Sequence, residues 1–310
     1  MSRESDFVES LRTLATSPAA RGLADDGAVL EVGGTTLVLT HDVIAEGVHF
    51  LPDDPPGDVA WKLLAVNLSD LAAKGARPLG VLLGFALGDA AWDRAFVRGL
   101  GVALASFDVP LLGGDTVAAP RVLGLTAVGQ ASGPVPSRSG ARAGDDLWVS
   151  GTIGDAGAGL GGLKGEVPRD DSLVERYRRP TPRLAAGQAL APLVSAMMDV
   201  SDGLTIDVAR MGEASGVAFE MELADLPVSD AYRRINGDDA PAHLAAATAG
   251  DDYELLFTTA PDQAEAVLAV SHRLGVPLTR IGRGAPGSGL TLTDNGAPLP
   301  LPPRLGWEHG

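Results

Sequence analysis

The sequence predicts an α/β or α+β protein divided into two domains. Its 310 residues exceed the roughly 100–200 that one domain usually holds, and 45% of them are hydrophobic. Strand-like apolar runs alternate with segments of helical spacing along the chain. The segment from Ser132 to Gly140 is rich in Ser, Pro and Gly, which is typical of a linker. We therefore predict domains at residues 1–136 and 137–310.

The first half is predicted to contain helices and strands in alternation. Apolar runs bounded by turn residues predict strands at residues 28–32, 35–40, 80–87, 109–112 and 122–130. Helical spacing of apolar residues predicts helices at residues 7–14, 58–74 and 92–107. Gly33-Gly34 predicts a hairpin between the first two strands, and Gly113 to Thr116 predicts a turn.

The second half continues the alternation. Strands are predicted at residues 146–150, 218–222, 254–258 and 290–293. Helices are predicted at residues 155–163, 185–196 and 202–213. Asp294-Asn295-Gly296 is a strong hairpin signal after the last of these strands.

Composition narrows the function classes. A net charge of -16 would repel a nucleic acid over most of the surface, although a phosphorylated small molecule can still bind through metal cations. The absence of cysteine excludes disulfides, thiolate zinc sites and a Cys nucleophile, and it agrees with a cytoplasmic location. The charged N-terminus lacks the core of a signal peptide. No apolar run approaches the ~20 residues that cross a bilayer, so no membrane partner is expected.

Several common catalytic motifs are missing. A Walker A loop needs Lys followed by Ser or Thr, and the only lysines, Lys62, Lys74 and Lys164, precede Leu, Gly and Gly. The kinase His-Arg-Asp loop, the Gly-x-Ser-x-Gly elbow and the His-Glu-x-x-His helix are also missing. The segment Gly157 to Gly162 fits Gly-x-Gly-x-x-Gly, but no acidic strand end follows at the distance that dinucleotide binding requires. A close helix–strand contact explains these glycines.

Six aspartates form the most informative pattern. Each is predicted where one structural element gives way to the next; they are Asp26, Asp42, Asp70, Asp115, Asp199 and Asp202. Carboxylates that converge in one cleft repel each other unless cations hold them together, and Mg²⁺ is the usual cation for oxygen ligands. The alternative is that these residues are helix N-caps and turn residues, a role in which Asp is common. Asp70 argues for a functional role, because Asp within a helix is unfavourable.

Eight ordered motifs resemble those of the thiamine-monophosphate kinases. The resemblance extends from about residue 7 to Trp307, which is nearly the whole chain. The segments that carry it are Asp25-Asp26-Gly-Ala, Thr40-His41-Asp42 with Gly47-Val-His49-Phe50, Ala65-Val-Asn67-Leu-Ser69-Asp70-Leu-Ala-Ala-Lys-Gly75-Ala, Gly113-Gly-Asp115-Thr116, Arg138-Ser-Gly-Ala, Arg179-Pro-x-Pro-Arg183, Asp199-Val-Ser-Asp202-Gly-Leu and Gly250-Asp-Asp252-Tyr-Glu-Leu. The chain departs from the family pattern at Ala24, His41 and Asp251, where the family has Gly, Thr and Glu.

The resemblance implies a role for each matching residue. Mg²⁺ ligands are expected at Asp26, Thr40, His41, Asp42, Asp70, Asp115, Asp199 and Asp202. ATP contacts are expected at Gly114, Asp115, Arg138 and Ser201, and substrate contacts at His49, Asp251 and Trp307. The residues expected to be most directly catalytic are Asp42, Asp70 and Arg138. A K⁺ ion is a further candidate cofactor.

The resemblance also implies a fold and an activity. The expected fold is the two-domain fold of the aminoimidazole ribonucleotide synthetase-like superfamily, whose N-terminal sheets pair in a homodimer with a barrel-like core. The expected reaction is the transfer of the γ-phosphoryl group of ATP to thiamine monophosphate, giving thiamine diphosphate. Two alternatives stay open at this point. One is an ATP-dependent synthetase of the same superfamily that acts on a purine intermediate, and the other is a non-catalytic module that senses nucleotides.

Overall fold

The computed structural model describes residues 3 to 308 and, for side chains, residues 6 to 308. The strands of the first domain are β1 (Ala28–Val32), β2 (Thr35–Ala45), β3 (Arg77–Leu87), β4 (Leu111–Ala118) and β5 (Val122–Ala131). They form one sheet in the order β1-β2-β5-β3-β4, called here the N-terminal sheet. The helices of this domain are α1 (Arg3–Arg12), α2 (Pro56–Ala73) and α3 (Ala90–Phe107).

Most predictions for this domain are confirmed. The hairpin at Gly33-Gly34 joins β1 to β2, with Val32 opposite Thr35. The predicted turn at Gly113 to Thr116 is wrong, because β4 continues straight through it beside β3. Gly114 permits this path: its φ is 154°, and a Cβ there would lie 1.9 Å from the carbonyl oxygen of Leu83. The two glycines therefore allow a close strand pairing rather than a turn.

The two faces of the N-terminal sheet differ. Helices α2 and α3 cover one face, where Leu63, Val81 and Leu125 are fully buried. On the other face, Leu82 of β3 is 42% exposed and Val117 of β4 is 58% exposed. Every residue of the edge strand β4 is exposed. We call the side of the sheet that bears Leu82 and Val117 the open face. An uncovered apolar face of this kind is typical of an interaction surface.

The second domain contains a mixed seven-stranded sheet. Its strands are β6 (Asp146–Ser150), β7 (Ala196–Val200), β8 (Ala218–Glu222), β9 (Glu254–Thr259), β10 (Leu278–Ala285), β11 (Gly289–Asp294) and β12 (Ala297–Leu299), in the order β12-β11-β8-β10-β6-β9-β7. Its helices are α4 (Asp155–Lys164), α5 (Asp171–Arg178), α6 (Leu184–Leu190), α7 (Leu204–Ser215), α8 (Asp230–Asn236), α9 (Ala240–Thr248) and α10 (Ala264–Leu274). Short 3₁₀ turns lie at Pro18–Leu23, Leu223–Asp225 and Pro261–Gln263.

One prediction in this domain is wrong. The elements that were not predicted are β7, β10, β12, α5, α8, α9 and α10. The helix predicted to reach residue 196 ends at Leu190, and Ala196 begins β7 instead. All five residues of β7 are buried, and a short run buried on both faces shows no alternation that would separate strand from helix. The hairpin predicted at Asn295-Gly296 is confirmed by the pairing of β11 with β12.

Helix α2 connects the two domains. The indole nitrogen of Trp61 donates to the carbonyl of Pro180 at 3.0 Å. Helix α6 approaches α2 so closely that a Cβ on Gly187 would lie 1.9 Å from the carbonyl oxygen of Ala72. Polar residues of α2 therefore lie where the two sheets meet. None of the helices between residues 3 and 308 is both long and apolar enough to cross a membrane.

Candidate active site

A cleft of about 1610 Å³ runs between the two domains. The N-terminal side contributes β2, α2 and the loop before β1, and the C-terminal side contributes the end of β7 and the loops before α7 and β9. Most of the predicted site residues line it; they are Asp26, Thr40, His41, Asp42, His49, Asp70, Arg138, Asp199, Ser201, Asp202, Asp251 and Trp307. Gly114 and Asp115 do not.

Three of the aspartates lie inside elements, which corrects the expectation that each would lie at an element end. Asp42 lies within β2, Asp70 within α2 and Asp115 within β4. Asp26 and Asp202 lie in loops, and Asp199 lies one residue before the end of β7.

A polar strip on α2, made of Asn67, Ser69 and Asp70, explains why a buried helix tolerates these residues. The side-chain carbonyl oxygen of Asn67 accepts from the backbone N–H of Asp42 at 2.9 Å. The Ser69 hydroxyl donates to Asp199 at 2.6 Å and thereby joins the two domains. Asp70 accepts from the hydroxyl of Thr40. Each polar residue of α2 thus fixes a different side of the cleft.

The carboxylates of the cleft oppose each other's ionisation. Burial raises the pKa of Asp42 to about 6, against the lowering effect of His41 and with the charges of Asp26 and Asp202 adding to it. Burial, followed by the charges of Asp42 and Asp199, raises the pKa of Asp70 well above its ordinary value. The pKa of Asp199 is raised in the same way, by burial first and by Asp26 next. Positive charge entering the cleft would relieve this repulsion.

Asp26 already has two cationic neighbours. The Arg138 guanidinium donates to its Oδ1 at 2.5 Å, and the ammonium of Lys74 lies 2.9 Å from its Oδ2. Oδ2 is buried, and Lys74 meets it as an ion pair. Burial opposes the charge of Arg138, but Asp26 outweighs it and raises the pKa of that guanidinium. Sequence reasoning did not single out Lys74, which is fully buried in spite of its charge.

The N-cap alternative for Asp202 is wrong. The residue at the N-cap of α7 is Gly203, and no side chain caps the helix there. Instead, the backbone N–H groups of Ser201 and Asp202 donate to Asp207 at 3.2 and 3.3 Å. The Asp202 carboxylate accepts from Arg210 at 2.5 Å and faces the cleft.

The three predicted substrate contacts line the cleft, and two of them are bonded to the loop of Ser201 and Asp202. Asp251 has a φ of 73°, and its backbone N–H donates to the carbonyl of Ser201 at 2.8 Å. The backbone N–H of Trp307 donates to the carbonyl of Asp202 at 2.8 Å, while its side chain is 54% exposed. The ring of His49 accepts from the backbone N–H of Ala45 at 3.1 Å.

Strand register separates Asp115 from the other aspartates within one chain. Asp42 pairs with Leu125, which pairs with Leu83 of β3. Asp115 pairs with Gly84, one residue further along β3, and so belongs to the open face. Three strand spacings, about 14 Å, also lie between β2 and β4. The ring of His41, with its Nδ1 2.9 Å from the Thr126 hydroxyl, is on the open face too.

Comparisons with known proteins agree with this geometry. The family model for the AIR synthase related protein, N-terminal domain, matches residues 24–131, and that for the C-terminal domain matches residues 142–295. The chain is 41% identical over 304 residues to the thiamine-monophosphate kinase of Caulobacter vibrioides, covering 94% of this chain and 86% of that protein.

Solved structures of similar proteins point to the same family. The crystal structure of thiamine-monophosphate kinase from Stenotrophomonas maltophilia K279a has a TM-score of 0.80 and 40% identity, covering 95% of this chain and 96% of the other. A structure described as AaThiL complexed with AMPPCP and TMP has a TM-score of 0.85 and 30% identity, covering 98% and 96%. The two-domain fold expected from the sequence is thereby confirmed, and the chain belongs to the thiamine-monophosphate kinase family.

Proposed function

We propose that this chain transfers the γ-phosphoryl group of ATP to thiamine monophosphate and so forms thiamine diphosphate. The observation that carries this proposal is the cleft in which Asp26, Asp42, Asp70 and Asp199 lie near the guanidinium of Arg138. Cations held by such carboxylates are what a reaction between two anionic phosphates requires. The choice of substrate is supported by the relatives' names and by the AaThiL complex, which contains an ATP analogue together with TMP.

The donor set suits Mg²⁺, which prefers oxygen ligands. The residues that would hold it within one chain are Asp26, Thr40, Asp42, Asp70, Asp199 and Asp202, with the backbone carbonyl of His41. The raised pKa values of Asp42 and Asp70, which come from burial and from neighbouring carboxylates, fit a place for cations.

Among the side chains of residues 6 to 308, no group of three or more His, Asp or Glu is placed to hold a metal ion as a cage of its own. A cage is not needed, because Mg²⁺ usually takes one or two carboxylates together with phosphate oxygens and water. When bound, Mg²⁺ would supply positive charge that reduces the repulsion between ATP and its acceptor. A requirement for K⁺ stays a prediction, which activity in K⁺ and in Na⁺ buffers would check.

The protein's own groups would position rather than activate the substrates. Arg138 keeps its charge, and its planar fork matches the oxygens of a phosphate. The acceptor is a phosphate monoester that is already nucleophilic near neutral pH, so the reaction needs no strong general base. We therefore propose direct in-line transfer without a covalent phosphoenzyme. His49, Asp251 and Trp307 line the same cleft and would hold the organic part of the acceptor.

We extend the proposal to a homodimer in which Asp115 serves the partner's cleft. β1 pairs with β2 only from Thr35 to Leu39, so on the side away from β5 residues 40–45 have no strand partner among the described residues. The exposed strand β4 forms the opposite edge of the sheet. If two open faces closed into a barrel, β4 of one copy would lie beside β2 of the other. The strand that bears Gly114 and Asp115 would then run beside residues 40–45 of the partner subunit.

Mixing two inactive variants tests this arrangement. We expect Asp70→Asn and Asp115→Asn to be inactive alone, whereas co-refolding equal amounts should restore roughly a quarter of wild-type activity. Half of the dimers would then be mixed, each with one intact site. The measurement is thiamine diphosphate formed per chain, with dimer formation followed by light scattering. If the variants form mixed dimers but regain no activity, Asp115 does not act across the interface.

The proposed reaction itself is tested by product analysis. The protein is incubated with ATP, Mg²⁺ and thiamine monophosphate, and chromatography should show thiamine diphosphate and ADP in equal amounts that depend on Mg²⁺. Absence of thiamine diphosphate would refute the proposal. Release of orthophosphate with a purine-intermediate substrate would point to the synthetase alternative, and binding of Mg-ATP without turnover of any acceptor would point to a nucleotide sensor.

A further inference from the structure

Lys62 is a buried cation that was not among the site residues expected from the sequence. Its side chain on α2 is 2% exposed. The ammonium donates to the carbonyl of His49 at 2.9 Å and to Oδ2 of Asp251 at 2.9 Å. It also lies 3.9 Å from the centre of the Tyr177 ring, which is a favourable cation–π distance. One side chain therefore joins α2, the loop of His49, α5 and the loop of Asp251.

These contacts restrict Asp251 to one orientation. Lys62 holds Oδ2, and the hydroxyl of Tyr253 donates to Oδ1 at 3.2 Å. The backbone is held as well, since the positive φ of Asp251 is uncommon for a residue with a side chain. The carboxylate nevertheless remains 25% exposed and lines the cleft. Each carboxylate oxygen has a second lone pair, so the group can still accept a hydrogen bond from a ligand.

We propose that Lys62 is a positioning residue that sets specificity for the aminopyrimidine ring of the acceptor. This inference rests on the proposed function. The organic part of thiamine monophosphate has one N–H donor group, the exocyclic amine of its pyrimidine, and a carboxylate can only accept. By fixing Asp251, Lys62 presents an acceptor to that amine. In an analogue with an oxo group in place of the amine, the oxo oxygen would face the carboxylate oxygen of Asp251. Two acceptors without a proton between them are unfavourable.

The experiment compares thiamine monophosphate with its oxo analogue. In Lys62→Met, we expect KM for thiamine monophosphate to rise about tenfold or more, with KM for ATP nearly unchanged. The preference for the amino over the oxo acceptor, measured as the ratio of kcat/KM values, should fall by a similar factor. Calorimetric binding of thiamine monophosphate without ATP should weaken in parallel. Arg273→Met, which removes one exposed positive charge outside the cleft, serves as the control and should keep the wild-type ratio.

A second variant keeps the inference testable if Lys62→Met does not fold. In Asp251→Asn, Lys62 should attract the amide oxygen and leave the amide NH₂ for the ligand, so the preference should shift towards the oxo analogue. Where Lys62→Met does fold, adding it to Asp251→Asn should abolish that shift.

Two outcomes would overturn the inference: an unchanged amino-to-oxo ratio in both single variants, or equal increases in KM for both substrates. If wild-type protein fails to turn over thiamine monophosphate at all, the proposed function fails instead. The two failures can therefore be distinguished.

Discussion

Asp70→Asn is expected to reduce phosphoryl transfer by at least about 100-fold while the folded state keeps or gains stability. Asp70 is 9% exposed, and burial together with Asp42 and Asp199 makes its negative charge unfavourable in the protein alone. Asn can still accept the hydrogen bond from Thr40, so the packing of α2 against β2 is retained. It cannot supply the negative charge that would attract a cation. Activity should therefore fall, while the melting temperature should stay the same or rise.

The change that Asp70→Asn makes in the free energy of unfolding depends on pH. The pKa of Asp70 is raised on folding, so its contribution to stability is fully present below the unfolded value of about 3.9 and is lost as pH rises towards the folded value. Without divalent cations, Asp70→Asn should gain most over wild type near pH 8, and the gain should shrink towards pH 4. The exposed Asp262→Asn is the control for the loss of one charge. A variant that no longer folds would show that Asp70 is structural instead.

The strands that alternation or turn residues define could be predicted from the sequence. β1 and β6 have the predicted bounds, because a hairpin signal or the start of the second unit delimits each run. β7 and β10 could not be predicted in this way. β7 is buried throughout, and Gly282 and Gly284 interrupt the apolar pattern of β10. These glycines allow close strand pairing, since a Cβ on Gly282 would lie 2.1 Å from the carbonyl oxygen of Glu220.

Part of the site was predictable because its residues are local signals within ordered motifs. The polar strip of α2 stands out in an otherwise apolar helix. It was the local signal for the cleft in which Asp42, Asp70 and Asp199 lie. The placement of Asp115 was not predictable, since the sequence does not reveal which face of the sheet a residue of β4 occupies. The domain boundary at residues 136 and 137 stays a prediction.

The two buried lysines were missed for a different reason. Lys62 and Lys74 precede Leu and Gly, so their role in sequence reasoning was only to exclude a phosphate-binding loop. Their function depends on partners far away in the chain, namely Asp251 for Lys62 and Asp25 with Asp26 for Lys74. A charged residue on a helix face that is otherwise apolar was the only local signal. Partners at such sequence separation become visible only once the domains are packed together.

Lys74→Met is expected to destabilise the protein by about 3–5 kcal/mol at pH 7, because removing one partner of a buried ion pair leaves the other charges uncompensated. The Lys74 side chain is fully buried, donates to Asp25 and to the carbonyl of Met197 at 3.1 Å, and lies 2.9 Å from Asp26. Met has a similar length and no charge, so packing is largely retained. Thermal and denaturant unfolding, with the exposed Lys164→Met as control, give the measurement.

The pH dependence of this effect separates lost charge from lost packing. Burial raises the pKa of Asp25, but Lys74 and then Arg21 outweigh it, so the folded value is lowered. The pairing therefore stabilises the fold above the unfolded pKa of about 3.9, and that stability is lost as pH falls through the folded value. The difference between Lys74→Met and wild type should shrink towards pH 4, where unpaired carboxylates can take up protons. A melting temperature equal to that of wild type at pH 7 would mean that Arg21 and Arg138 neutralise both carboxylates without Lys74. A loss that is the same at every pH would instead assign the role of Lys74 to packing between the domains.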